Sequence, residues 1–191
     1  MKKILSGYFD VAYLVKFALI FIPLYYFNLF FWGITDPRNY YSPFADHYLN
    51  YISLITASIL HTSNFINHLL GIHSVVQGNV IGVYNVASLT MEPPCVGLGI
   101  MSFWVALILP YKSSLKRRIY WCIGGVIAIW FINCCRVSLL MYSLQKNWNT
   151  ARYIDEHDLF NYAAYAVVLL LIYLFNTDSN RKNNELVMHA S

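Results

Sequence analysis

Residues 119–143 read "IYWCIGGVIAIWFINCCRVSLLMYS", an apolar stretch whose single charged residue is Arg136. A helix that crosses the hydrocarbon core of a bilayer needs about 20 mostly apolar residues. The stretch therefore predicts a transmembrane helix, Ile119–Ser143, that carries a cation inside its apolar length.

Three further apolar segments, two before residues 119–143 in the sequence and one after, also predict transmembrane helices. They lie at about Leu14–Trp32, Pro94–Tyr111 and Leu159–Phe175, and the last two are short. Only 12% of the residues in the chain are charged, whereas about 25% are charged in a typical soluble domain. We therefore expect one all-α integral-membrane helical bundle over residues 1–191, with about four to five transmembrane helices.

The short loop "KSSLKRR" at 112–118 determines the expected orientation. It holds four positive charges and no negative charge, and basic residues in short loops stay on the cytoplasmic side of a membrane. The N-terminus, with Lys2 and Lys3, is then also cytoplasmic, and residues 33–93 lie outside.

Two smaller elements are predicted within this outer region. Residues 48–71 favour an amphipathic helix on the outer surface, because apolar side chains recur at near-helical spacing. The polar side chains that fall elsewhere on the helical wheel are Asn50, Asn64, Asn67 and His68. A fifth transmembrane span at the same place is the alternative. Residues 74–91, "SVVQGNVIGVYNVASLTM", predict a small β-hairpin that turns at "QGN".

Cys95 follows two prolines in "MEPPCVGLGI", residues 91–100. Proline suits the first turn of a helix, so we expect Cys95 in the first turn of the segment that begins at Pro94. Unpaired backbone N–H groups and the helix dipole favour a thiolate there, and Gly97 and Gly99 let a peptide or another backbone come close. The alternative is a small apolar residue that packs at a helix end.

Arg136 lies inside a predicted span, where an arginine costs roughly 2.5–3.5 kcal/mol. No carboxylate is near it in the sequence, and Asn133, three residues earlier, lies on the same helical face and can help to orient the guanidinium. A side chain that reaches out to the nearby interface is the alternative explanation.

His157, in "ARYIDEHDLFNY", comes just before the last apolar segment, and Asn161 follows it by one turn. The predicted topology brings Cys95, Arg136 and His157 to one level at the outer face. A thiolate can attack a carbonyl, a histidine can move protons and an arginine can stabilise an oxyanion. The three residues therefore predict thiol-dependent acyl transfer, although an exposed loop histidine is the commoner occurrence.

The pattern resembles the exosortase/archaeosortase family of integral-membrane cysteine transpeptidases. The similarity covers roughly residues 60–175, which we take as the catalytic core. It is carried by "LLG" and the hairpin at 69–90, "CVG" at 95–97, "NCCRV" at 133–137 and "HDLFNY" at 157–162.

The resemblance implies that Cys95 is the nucleophile and that Arg136 and His157 complete the catalytic set, with Asn133, Gly97 and Asn161 in supporting positions. It implies substrates that are secreted proteins with a C-terminal motif, a hydrophobic helix and a basic tail. The enzyme would cleave them on the extracytoplasmic side of the cytoplasmic membrane and transfer the new C-terminus to an acceptor of unknown identity. Membrane lipids are the other expected partner, and we expect no nucleic acid and no cofactor.

Three alternatives remain open at the level of the sequence. The first is a non-enzymatic membrane assembly factor or transport subunit, in which Arg136 pairs with a partner and Cys95 is a packing residue. The second is a metal-dependent hydrolase that uses His61, His68, His73 and His157, although no HExxH motif is present. The third, structural, is a disulfide between Cys95 and Cys134 or Cys135.

Overall fold

The computed structural model describes residues 11–36, 40–84, 86–145, 162 and 165–177. The helices are α1 Val11–Thr35, α2 Pro43–Leu49, α3 Tyr51–Leu69, α4 Leu98–Ile108, α5 Leu115–Gln145 and α6 Tyr165–Thr177. The strands are β1 Ser74–Gln77, β2 Val80–Val83 and β3 Ala87–Thr90, and a 3₁₀ turn covers Pro93–Val96. Within these residues the fold is mostly helical with one small antiparallel sheet.

The predicted spans Leu14–Trp32 and Ile119–Ser143 are confirmed as long apolar helices. Among the described residues, α1 with 25 residues and α5 with 31 residues are the helices long and apolar enough to cross a membrane. Most of α1 exposes apolar side chains such as Leu19 and Phe30, which is the surface that a lipid-facing helix presents.

The predicted helix Pro94–Tyr111 is shorter than expected and starts later. α4 begins at Leu98 and holds 11 residues, which extend about 16 Å at 1.5 Å per residue, about half of the hydrocarbon thickness. Gly97 ends the preceding turn with a φ of 82°, and this left-handed conformation interrupts any continuous α-helix from Pro94.

The helix expected within 48–71 is present, but the prediction of its buried face is partly wrong. Asn50 caps α3, since its side chain accepts a hydrogen bond from the backbone N–H of Ser53 at 2.9 Å. Asn67, expected away from the buried face, is 0% exposed, and Ser63 is also 0% exposed. Small and polar residues on a helix face let two helices approach closely in a membrane protein and bond across the gap.

The buried polar face of α3 meets α5. The hydroxyl of Ser63 donates to the carbonyl of Cys134 at 3.0 Å, and the hydroxyl of Ser138 donates to the carbonyl of Ser63 at 3.2 Å. The indole of Trp130 donates to Ser58 at 3.0 Å. Residue numbers increase along both helices in these pairs, so α3 runs beside the second half of α5 in the same direction.

The predicted hairpin is confirmed, and a third strand extends it. The strand order is β1-β2-β3, with Val76 opposite Ile81 and Ile81 opposite Leu89. The turn falls at the predicted place, where Gly78 has a φ of 60°. Ile81 is fully buried while Val75 is 65% exposed, so one face of the sheet packs on the helices.

Two apolar clusters hold the bundle together. The first joins α3, the sheet, the 3₁₀ turn and α5, through buried side chains that include Ile59, Ile81, Val96 and Met141. The second joins α4, α5 and α6, through Trp104, Ile108, Ile129, Val168 and Phe175. The 3₁₀ turn therefore rests on the first cluster, and α4 leads away from it into the second.

A polar chain links α1 and α3 to the start of α4. The hydroxyl of Tyr51 donates to Asn28, the amide of Asn28 donates to the hydroxyl of Ser102 at 2.9 Å, and Ser102 donates to the carbonyl of Leu98 at 2.8 Å. The chain ties the late part of α1 to the first turns of α4, and so brings both elements to one level in the bundle.

Candidate active site

Cys95 lies in the 3₁₀ turn, whereas we expected it in the first turn of the apolar helix. Its backbone N–H donates to the carbonyl of Glu92 at 2.8 Å, and its side chain is half-buried beside the first apolar cluster. The proline pair begins the turn, and Gly97 redirects the chain into α4. The cysteine is therefore presented by a short, separate turn ahead of the helix.

Asn133 holds this turn from α5. Its side-chain amide donates to the carbonyl of Val96 at 2.9 Å, and it is only 5% exposed. A Cβ added at Gly97 would lie 2.4 Å from the same amide nitrogen. The close approach of Asn133 and the positive φ of Gly97 each require glycine at this position.

Arg136 follows Asn133 by three residues on α5, a rise of about 4.5 Å. Its side chain is half-buried. Because Asn133 is bonded to the turn, the structure brings the segment that carries Arg136 beside the turn that carries Cys95.

The other expected site residues on the C-terminal side, His157 and Asn161, lie outside the described residues. Their predicted roles therefore stay predictions.

A cavity of about 490 Å³ opens beside the cysteine turn. We call it the Glu92 cavity. It is bounded by the end of α1, one face of α3, the β1–β2 turn and the residues just before the cysteine turn. Its lining includes Trp32, Asp36, Thr56, His61, Met91 and Glu92. Since the carbonyl of Glu92 bonds the N–H of Cys95, the cavity and the cysteine turn share one stretch of backbone.

All four cysteines are free, so the structure holds no disulfide from Cys95 to Cys134 or Cys135. His68 and His73 lie beside each other, with ring centroids 5.8 Å apart, whereas His61 lines the Glu92 cavity. Within the residues that the structure describes, no group of three or more His, Cys, Asp or Glu side chains is close enough to hold a metal ion.

Sequence reasoning missed the polar chain through Asn28, Tyr51 and Ser102 and the cavity beside Glu92. Asn28 did carry a signal, because it is a polar residue within the apolar segment Leu14–Trp32, and polar side chains inside a span face the bundle interior. The cavity had no comparable signal, since its walls come from elements that are far apart along the chain.

A protein family matches most of the chain. The family described as transmembrane exosortase (EpsH) matches residues 9–174, which include α1, the cysteine turn and α5. No curated protein and no solved structure gives a significant match. Because the family match covers most of the 191 residues, the chain belongs to the transmembrane exosortase family.

Proposed function

We propose that this protein is a membrane-embedded cysteine transpeptidase. It cleaves C-terminal sorting signals of secreted proteins at the outer face of the cytoplasmic membrane and transfers the cleaved protein to an acceptor. Cys95 is the nucleophile, Arg136 stabilises the oxyanion and His157 moves the protons. Family membership supports the class of protein, and the geometry around Cys95 supports the roles of Cys95 and Arg136. The role of His157 rests on the resemblance of the sequence motifs to the family.

One observation carries the proposal. Asn133, one turn before Arg136, donates its amide to the carbonyl of Val96, next to Cys95. A buried hydrogen bond between residues 37 positions apart holds the cysteine turn and the arginine-bearing helix in register. A cation kept in an apolar helix, one turn from the residue that holds the cysteine turn, matches the need to stabilise negative charge that develops on a substrate carbonyl.

The reaction divides into two acyl transfers. The Cys95 thiolate attacks the scissile carbonyl carbon, a C–S bond forms, and the oxyanion develops beside Arg136. The C–N bond then breaks, and the leaving amine takes a proton from His157, which leaves a thioester. An acceptor nucleophile gives its proton to His157 and attacks the thioester, and the C–S bond breaks to release the transferred product and the thiolate.

The membrane determines the depth at which the substrate presents its scissile peptide bond. A substrate whose hydrophobic tail spans the bilayer presents the peptide that precedes the tail at the membrane surface. The cysteine turn lies at the level where α1 ends, because Trp32, Asp36 and Glu92 line one cavity. With α1 running outward from a cytoplasmic N-terminus, that level is the outer face.

The Glu92 cavity is the candidate site for the peptide segment next to the scissile bond. Its volume, about 490 Å³, falls in the usual range for ligand pockets. Ala57 lines the cavity, so Ala57→Phe would fill part of it. We expect processing to fall at least about tenfold while a small thiol reagent still alkylates Cys95 at the rate of the unaltered protein. Unchanged processing would exclude the cavity as the peptide site.

The decisive experiment traps the acyl-enzyme. A membrane preparation with a sorting-signal substrate is quenched in acid, and the adduct is mapped by mass spectrometry. We expect a substrate fragment linked to Cys95, and we expect no processing by Cys95→Ala or Cys95→Ser at normal protein levels, because neither side chain supplies a thiolate.

Cys122→Ala is the matched control, because Cys122 is a half-buried cysteine on α5 outside the turn, and it should retain activity. If Cys95→Ala still processes substrate, Cys95 is not the nucleophile and the cysteine-transpeptidase proposal is wrong.

A further inference from the structure

The second cavity lies at the opposite end of α4 from the cysteine turn. It has a volume of about 1090 Å³ and opens between the first turns of α5 and the last turns of α6. We call it the basic cavity. Its walls include Lys116, Arg117, Tyr120, Trp121, Leu171 and Leu174. The mechanism proposed for Cys95 makes no use of it.

One end of the basic cavity is suited to an anion. Lys116 and Arg117 line it, and the described lining residues include no Asp or Glu. Ser114, which lines the same end, directly precedes the first residue of α5, so the positive end of a 31-residue helix adds to the field of the two cations. Negative charge is therefore favoured at this end.

The other end of the basic cavity is suited to a hydrocarbon chain. Tyr120 and Trp121 are aromatic residues of the kind that lie at membrane interfaces, and Leu171 and Leu174 continue the apolar wall. Gly124 forms part of the floor, and a Cβ added there would meet nothing within 4 Å. The groove past Gly124 is thus open.

The geometry points to an anionic phospholipid as the occupant of the basic cavity. Its phosphate would lie beside Lys116 and Arg117, and an acyl chain would run past Gly124 between Tyr120 and Leu174. Basic cavities between helices on the cytoplasmic side of a membrane bind anionic head groups in this way, and the loop 112–118 is on that side by its charge. A free phosphate would use only the basic end.

A bound lipid would strengthen the contact between α5 and α6. These helices already meet at Phe175, whose ring lies 5.5 Å from the ring of Trp121 and whose carbonyl accepts from Arg117 at 3.3 Å. A ligand that touches both helices stabilises the state in which they are docked, in proportion to its occupancy. The inference stands independently of the proposed reaction.

The test uses the full-length protein in phosphatidylcholine nanodiscs with increasing phosphatidylglycerol. Thermal unfolding and native mass spectrometry report stabilisation and retained lipid. We expect phosphatidylglycerol to raise the unfolding temperature of the unaltered protein. Lys116→Gln should need about fivefold more of this lipid for the same rise, and Gly124→Leu, which adds bulk in open space, should lose the retained lipid.

Lys112→Gln is the matched control, because Lys112 is a lysine four residues before Lys116 but does not line the cavity. It should respond to phosphatidylglycerol like the unaltered protein. If Lys112→Gln weakens the stabilisation by phosphatidylglycerol as much as Lys116→Gln does, general surface charge explains the stabilisation and the proposal is overturned. Equal stabilisation by inorganic phosphate, without retained lipid, would also overturn it, since the site would then be one for a free anion.

Discussion

At the scale of single residues, the contact between Gly97 and Asn133 controls the position of the cysteine turn. Gly97 has a φ of 82° and leaves no room for a Cβ beside the Asn133 amide. The same amide satisfies the Val96 carbonyl, which would otherwise lie buried without a partner at a helix boundary. Glycine and asparagine therefore act as one unit, and loss of either should displace Cys95.

We expect Gly97→Ala to lose most processing. The left-handed conformation costs a non-glycine residue about 1–3 kcal/mol, and the added methyl group must push Asn133 away from its position 2.4 Å from the ideal Cβ. Processing of substrate at matched membrane levels and the unfolding temperature in detergent are the two measurements.

Gly99→Ala provides the comparison, because its Cβ would meet the Tyr25 ring at 3.5 Å, an ordinary van der Waals contact. It should fold and process substrate nearly as the unaltered protein does. If Gly97→Ala and Gly99→Ala behave alike, the turn tolerates a side chain, and the fit between Gly97 and Asn133 has no role in placing Cys95.

At the scale of elements, the packing of α4 on α5 depends on one glycine. Trp104 is 0% exposed, and its indole donates to the carbonyl of Trp121 at 2.9 Å. A Cβ added at Gly125 would lie 1.9 Å from the indole nitrogen. The indole of Trp104 on α4 therefore packs into the space that Gly125 leaves on α5, and this contact positions the short helix α4.

Gly125→Ala should destabilise the protein by about 1–3 kcal/mol, the usual cost of overpacking a core, and the bond from Trp104 should break. Unfolding in mixed micelles, followed by tryptophan fluorescence, measures the free energy of unfolding.

Gly33→Ala serves as the reference for this substitution, since Gly33 is helical and a Cβ there would meet nothing within 4 Å. It should be neutral or stabilise by about 0.5–1 kcal/mol, because alanine loses less backbone entropy than glycine in a helix. Equal free energies of unfolding for the two variants would mean that Trp104 does not pack against Gly125 as described.

At the scale of the whole molecule, the two cavities lie toward opposite ends of the bundle. The Glu92 cavity adjoins the turn before α4, and the basic cavity adjoins the start of α5. The positive charges of residues 112–118 predict that the basic end lies on the cytoplasmic side. The catalytic chemistry and the proposed lipid site would then face different sides of the membrane.

Labelling of single cysteines in intact cells tests this arrangement. In a background without the natural cysteines, Asn79→Cys places a thiol in the exposed β1–β2 turn and Lys116→Cys places one in the first turn of α5. A membrane-impermeant maleimide should label Asn79→Cys directly and Lys116→Cys only after permeabilisation. External labelling at Lys116 would reverse the orientation and put Cys95 on the cytoplasmic side.

Several features of this protein could be predicted from local sequence. The long helices around Leu14–Trp32 and Ile119–Ser143 follow from the number of consecutive apolar residues. The hairpin turn follows from "QGN", where glycine tolerates a positive φ. The motifs that contain Cys95, Arg136 and His157, together with the hairpin at 69–90, carried the resemblance to the family to which the chain belongs. The helices, the turn and the motifs can each be recognised from residues close together in sequence or from residue type alone.

The tertiary structure decided where those residues meet. No local pattern shows that Gly97 must be left-handed, that Asn133 bonds the Val96 carbonyl, or that Asn67 is buried. Ser63 and Cys134, 71 residues apart in sequence, meet only because two helices pack closely. Helix length and side-chain polarity are properties of a segment by itself. The burial of a polar group is stabilised by partners from other segments, so only the packed bundle determines which side chains face one another.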